Sequence, residues 1–209
     1  MSKPLSDDEI DHRRSILVAC AITLLEENGA DGLTLRKLAE AAGVSRQTPY
    51  LYFKDKSDLL DAIRIAGLIR LTQATTAAVN ESENDGYIEQ LRVAGEAYVR
   101  FGLDHPTLYR MIYKPTRAEE TVSSELQRAL DANSLVTAAP MKAAFDDGIL
   151  VMPPERLNQV FWAALHGLIS LRNEGLIGDD ETFVQTLEDL ENILATGFLK
   201  VSDKAQALS

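Results

Sequence analysis

The chain has 209 residues, 45% of them hydrophobic, and a formal charge of −11 at pH 7. That is enough apolar material for one large domain or two small ones. The only cysteine, Cys20, excludes an intrachain disulfide, and the net acidity excludes indiscriminate binding to nucleic acid, whose phosphates repel a negative body.

The first residues, "MSKPLSDDEIDHRRS", are acidic and polar, without the basic-then-apolar order of a signal peptide. The longest apolar run, "VFWAALHGLISL", is too short to span a bilayer, so a soluble cytoplasmic protein is expected. Helical periodicity then runs the length of the chain, and no stretch keeps the alternation of a strand. Ser6 with Glu9 reads as a capping box. Ile10, Ile16, Leu17, Cys20, Ala21, Leu24 and Leu25 trace one face of the helix that follows, and Asn28-Gly29 closes it. Thr34 can cap a very short second helix, which Gly43 ends. Ser45 can cap a third, about two turns long. A fourth begins at Ser57-Asp58 and runs to about Asn80, before the polar break "NESENDG". Helical pattern resumes at Tyr87, with interruptions at His105-Pro106, Lys114-Pro115, Gly148 with Pro153-Pro154, and Gly175 to Asp180. The expectation is an all-α protein of about nine helices. A small N-terminal module over 1–56 is linked by helix 57–80 to a larger helical body within 57–209.

Charge is unevenly placed along this plan. Residues 32–56 carry five basic side chains (Arg36, Lys37, Arg46, Lys54, Lys56) against two acidic ones, whereas 57–209 carry 13 against 23. A positive patch on a negative body can bind DNA if that patch alone faces it. In the same window Leu35, Leu38, Ala39 and Ala42 give the second helix an apolar face, and Gly43 allows the sharp turn. Val44 would plug the corner between the helices. This is the spacing of a helix-turn-helix, whose second helix enters the major groove by its N-terminal residues. Those residues are Ser45, Arg46, Gln47 and Thr48. Arg46 suits a guanine edge and Gln47 an adenine edge. Tyr50 and Tyr52 can reach phosphates through their hydroxyls, while Lys54, Lys56 and the start of the fourth helix supply positioning charge.

"GLTLRKLAEAAGVSRQTPYLYFKDKSDLLDAI" resembles the DNA-binding module of the tetracycline-repressor (TetR) family of transcriptional regulators, over about residues 10–65. TLRKLA, AGVS, the tyrosine at 50, "YF" at 52–53 and the K-x-K-x-x-L-L run fall in that family's order and spacing. The resemblance implies that Thr34 and Arg36 touch the DNA backbone or a base edge, that Ser45, Arg46, Gln47 and Tyr50 contact the groove, and that Lys56 meets a phosphate. Pro49 departs from the pattern, standing where the family more often has leucine. As the fourth residue of its helix it forfeits a regular backbone bond.

A single helix-turn-helix buries too little surface to select a site well, so such modules pair to reach two half-sites. The apolar residues Leu157, Phe161, Leu165 and Leu168 run around much of one C-terminal helix, and Phe183, Leu187, Leu190 and Leu194 line the last. Two such helices from each subunit would form an intermolecular four-helix bundle, the way the family builds its dimers. "WAALHGLISL" resembles one C-terminal subclass of the family, marked by Trp162, His166 and Gly167. An effector pocket is expected among Phe101, Tyr109, Met111, Phe145, Trp162 and His166, which combine apolar bulk with a few polar handles. The three histidines are scattered, and no P-loop, dinucleotide fingerprint or nucleophile elbow occurs. No metal, cofactor or enzymatic chemistry is therefore expected. The implied function is a homodimeric, ligand-responsive repressor that binds a palindromic operator in double-stranded DNA and is released by an unidentified small molecule. A helical adaptor, or an enzyme using the C-terminal pocket, is the alternative at this point.

Overall fold

The structure is a computed structural model that describes residues 6–114 and 122–199. Among the described residues it has nine α-helices and one short 3₁₀ turn. The all-α expectation holds. Pro115, read as a helix break, lies outside the described residues.

Helix α1 (Asp7–Gly32) starts on the expected capping box. The Glu9 amide donates to Ser6 Oγ at 3.3 Å, and the Ser6 amide donates back to Glu9 Oε2 at 2.8 Å. The Ser6 amide, and its hydroxyl at 3.1 Å, both donate to the Glu9 carboxylate and hold its pKa below its ordinary value. The helix breaks at Gly29, where φ is 68°, and continues briefly to Gly32. Its buried face is Leu17, Val18, Ala21, Ile22 and Leu25. Ile10 and Ile16, expected on that face, are exposed, because the neighbouring elements cover only the middle of the helix. Helix α2 (Leu35–Ala41) has Thr34 as its cap, its hydroxyl accepting from the Lys37 amide at 3.1 Å.

After α2 come the 3₁₀ turn (Thr48–Leu51), α3 (Lys56–Glu81), α4 (Tyr87–Asp104), α5 (Pro106–Ile112), α6 (Ser124–Leu135), α7 (Ala138–Asp146), α8 (Pro154–Asn173) and α9 (Asp180–Phe198). The described residues fall into two compact units. One holds residues up to Ile69 and from His105 to Ala129, and the other holds Arg70–Asp104 and the residues from Leu130 on. The boundary thus lies inside α3, further along than the end of the basic window.

The first unit packs α1 against α2 and α5, and α2 against the 3₁₀ turn. Leu25, Leu33, Leu38, Leu59, Ile63, Leu108 and Ile112 are fully buried there, and the Tyr109 ring meets Tyr113 edge-on at 5.1 Å. At Gly67 an added Cβ would lie 2.9 Å from Ile112 Cδ1 and Cγ1 and 3.0 Å from Leu108 Cδ1. Helices α3 and α5 therefore cross at a distance only glycine permits. In the second unit, Leu91, Met141, Ala144, Leu150, Leu157, Phe198 and Leu199 form one cluster. A bridge between Leu150 and Leu199 ties the start of the α7–α8 connection to the end of α9, and Asn173 Nδ2 donates to the Gly102 carbonyl at 3.1 Å.

Two of the helix-interior glycines, Gly67 and Gly95, should respond oppositely. An alanine Cβ at Gly95 meets only Leu165 Cδ1, at an ordinary 3.6 Å, so Gly95→Ala should stabilise by about 0.5–1 kcal/mol through helix propensity. Gly67→Val should destabilise by about 2 kcal/mol through overpacking. Urea unfolding followed by circular dichroism measures both, and a stabilising Gly67→Val would show that the crossing has slack.

Candidate nucleic-acid interface

The segment from Gly43 to Lys56 is built differently from a regular helical hairpin. Gly43 takes φ 65°, and the Val44 amide donates back to the Ala39 carbonyl at 3.0 Å, which closes the C-terminus of α2. The two-turn helix expected from Ser45 is replaced by a non-helical turn and a single 3₁₀ turn at Thr48–Leu51. Pro49 explains the change. It has no amide hydrogen, and in an α-helix its ring would strike the Ser45 carbonyl. The chain instead makes tighter bonds: Thr48 to Ser45, Tyr50 to Gln47 and Tyr52 to Pro49, at 3.0, 3.1 and 3.0 Å. Ser45 correspondingly does not cap a helix, since its hydroxyl and that of Thr48 share a hydrogen bond at 2.9 Å.

Val44 does not plug the corner either, for 38% of it is exposed. Pro49, buried, and Phe53, 1% exposed, fill that place. The Arg14 guanidinium from α1 lies over the Phe53 ring at 5.5 Å, a cation–π contact that closes this small core.

Pro49 and Phe53, four residues apart and joined by the Phe53-to-Pro49 backbone bond at 2.9 Å, are the buried residues of the segment. Arg46, Gln47 and Tyr50 are exposed, Thr48 and Tyr52 are half-buried, and Ser45 and Lys54 are exposed. Thr34 is half-buried and accepts from the α2 backbone, while Arg36, two residues on, is exposed. Lys56 is held in place. Its ammonium donates to the Ala30 carbonyl at 2.8 Å, across 26 residues of sequence, and so fastens the start of α3 to the end of α1.

The start of α3, expected to contribute positive dipole, carries its own carboxylates. The Asp58 amide donates to Asp55 Oδ1 at 3.0 Å, and the Lys54 amide donates to Asp58 Oδ2 at 2.9 Å. This reciprocal cap fixes the angle at which the chain leaves the 3₁₀ turn. Ser57-Asp58 was expected to begin α3; the helix begins at Lys56, with Asp55 before it, and Arg14 and Asp55 are positioning residues beyond those expected. The D-x-x-D spacing was a legible capping signal; the Arg14–Phe53 contact, across 39 residues, had none.

Of the six residues considered for an effector pocket, Tyr109 and Met111 are buried in the first unit and Phe101 is buried in the second. Phe145 and Trp162 are 37% and 47% exposed. Trp162 stacks on His166 at 5.5 Å with 27° between the rings, and partial burial lowers the His166 pKa, keeping the imidazole neutral at pH 7. Of the eight residues considered for a dimer face, Leu157, Leu165, Leu168 and Phe183 are buried within the second unit's own packing. Phe161, Leu187, Leu190 and Leu194 are half-buried. Val160, Leu171, Val184 and Ile193 on the same two helices are exposed, Ile193 by 68%. No helix among the described residues is long and apolar enough to cross a membrane.

The Lys56 clamp predicts that Lys56→Ala lowers stability by about 1 kcal/mol, while Lys54→Ala, at an exposed side chain, changes it by less than about 0.5 kcal/mol. Urea midpoints of the two variants check this, and equal midpoints would remove the clamp.

Comparison with known proteins places this arrangement. A sequence model described as "Bacterial regulatory proteins, tetR family" matches residues 17–63, and one described as "Tetracyclin repressor-like, C-terminal domain" matches 91–190. The class D tetracycline repressor of Escherichia coli is 41% identical over 69 residues, which are 33% of this chain and 32% of that protein. The match therefore spans about a third of that repressor's length. An uncharacterised helix-turn-helix regulator of Mycobacterium tuberculosis is 25% identical over 172 residues, 81% of this chain and 74% of that one. A solved structure from Rhodococcus sp. RHA1 superposes with a TM-score of 0.77 at 30% identity, covering 95% of this chain and 100% of that chain. Both ends of the sequence thus point the same way: the chain belongs to the TetR family of transcriptional regulators.

Proposed function

We propose that the chain is a homodimeric, ligand-responsive repressor that binds a palindromic operator through Arg36 and the 45–54 segment. The observation that carries the reading is the outward set on a rigid turn: Arg46, Gln47 and Tyr50 are exposed while Pro49 and Phe53 anchor the turn beneath them. Arg46 is the natural reader of a guanine edge and Gln47 of an adenine edge. Arg36, Tyr50 and Lys54 set register on the phosphates, together with the hydroxyl of Tyr52. Lys56 serves chiefly by holding α3 to α1, and Thr34 by starting α2.

The dimer face in this reading runs along α8 and α9. Val160, Ala163, Gly167 and Leu171 recur every three or four residues on α8 and leave one side open; an added Cβ at Gly167 meets nothing within 4 Å. Small residues at 163 and 167 let a partner helix approach closely, and Val184 and Ile193 extend the apolar surface on α9. The half-buried Phe161, Leu187, Leu190 and Leu194 would form its edge, with the four buried residues supporting it from below.

The C-terminal body would hold the effector. Trp162, His166 and Gly167 are the residues that support reading it as the Trp-x-x-x-His-Gly subclass, and the stacked Trp162–His166 pair offers an apolar plate beside an imidazole. Effector and operator need only prefer different conformations of the dimer, by about 1–3 kcal/mol, for one to release the other. Helix α3, in which the boundary between the two units falls, and the α4–α5 segment are the elements that would carry that preference.

A random-oligonucleotide selection on the purified protein should enrich a palindrome, and Arg46→Ala should cost about 1–3 kcal/mol while relaxing preference at one position per half-site. Loss of binding without loss of discrimination would remove Arg46 from base reading. Val160→Glu combined with Ile193→Glu should yield a folded monomer in light scattering; a dimer of unchanged mass would place the interface elsewhere.

A further inference from the structure

Leu51 is 79% exposed, the largest exposure of any large apolar residue among the described residues. Single exposed leucines are ordinary on protein surfaces. This one is distinguished by where it stands. It is the last residue of the 3₁₀ turn, and at three residues per turn it eclipses Thr48, as Tyr50 eclipses Gln47. The leucine therefore shares the side of Thr48, in the same short segment as Arg46 and Gln47, in a turn whose buried residue is Pro49. Its neighbour Tyr50 is 59% exposed, and Leu51 is the apolar tip of the turn.

The tip cannot fold itself away. Backbone bonds at residues 48, 50, 52 and 53 fix the turn, and Pro49 fixes φ at its centre. The hydroxyls of Ser45 and Thr48 are bonded to each other, and Leu51 itself has no polar side-chain atom to present.

We propose that Leu51 is a specificity residue that reads the C5-methyl group of thymine. This rests on the operator-binding reading above and deepens it. Leucine has no donor or acceptor, so it cannot answer the hydrogen-bonding pattern of a base edge. The major groove displays one apolar group among its four base pairs, the thymine methyl. Seating that methyl against Leu51 removes apolar surface of both partners from water, worth about a fourfold change in affinity per methyl. A half-site should accordingly hold a thymine next to the positions read by Arg46 and Gln47.

The test uses the full chain and the duplex that emerges from the random selection. Each thymine is replaced in turn by deoxyuracil, which removes the methyl and leaves every hydrogen-bonding group in place. Fluorescence anisotropy then compares the wild type, Leu51→Ala and Leu51→Met. Wild type should lose about fourfold at one symmetric position per half-site, or roughly 15-fold when both half-sites are substituted. Leu51→Ala should bind the thymine and deoxyuracil duplexes alike at that position and keep its preference at the guanine read by Arg46. Leu51→Met, still apolar, should keep most of the methyl effect. Because the side chain is exposed, melting curves of both variants should match the wild type, so a fold defect is separable. Wild type indifferent to every methyl, or Leu51→Ala retaining the full deoxyuracil penalty, overturns the proposal while the operator-binding reading stands. A selection that enriches no duplex overturns both.

Discussion

The conformation of the recognition segment depends on one steric fact: Pro49 has no amide hydrogen and its ring occupies the space where an α-helix would place the Ser45 carbonyl. The segment answers with 3₁₀ bonding, which ends in a Phe53-to-Pro49 bond of α type. That four-residue spacing puts Pro49 and Phe53 together on the inner side, and Arg46, Gln47, Tyr50 and Leu51 are exposed. The neighbouring contacts serve that arrangement. Gly43 reverses the chain ahead of it, Arg14 closes over Phe53, and the Asp55–Asp58 cap fixes the exit into α3. A regular helix here would have been longer.

The charge distribution acts at longer range. A body with an excess of acidic residues repels the phosphate lattice, and the basic window attracts it. An excess of acidic residues outside the basic window thereby disfavours indiscriminate contact with nucleic acid. Within the body, charge is handled locally: Arg92 pairs with Glu89 and Glu96 on its own helix, and Glu191 on α9 is pushed toward its neutral form by partial burial and by Glu96 nearby.

Much of this was legible in the sequence because the signals were local. The Ser6–Glu9 box, Thr34 as a cap, the turn at Gly43 and the breaks at His105-Pro106, Gly148 and Gly175 each depend on a few adjacent residues. Those helix ends followed from them, whereas the break between α6 and α7 at 136–137 had no such signal. What the sequence did not disclose was set by partners far along the chain. Val44 reads as a plug until Phe53 and Pro49 are seen to fill the corner. Lys56 reads as a phosphate contact, and nothing local shows that its ammonium also donates to the carbonyl of Ala30, 26 residues away. Leu157, Leu165 and Phe183 fit an interface pattern, but periodicity cannot separate a helix face covered by its own chain from one left for a partner. Pro49 was noticed, and its effect was underestimated: the loss of one bond changed the type of helix.

The account stands on two identical outward turns, brought together by a twofold axis, each resting in the groove on one face of a duplex. Hydroxyl-radical footprinting on the selected operator addresses that arrangement most directly. It should show two protected patches, related by a dyad and centred about one helical turn apart on the same face. A single unsymmetric patch, or uniform protection along the duplex, would contradict it.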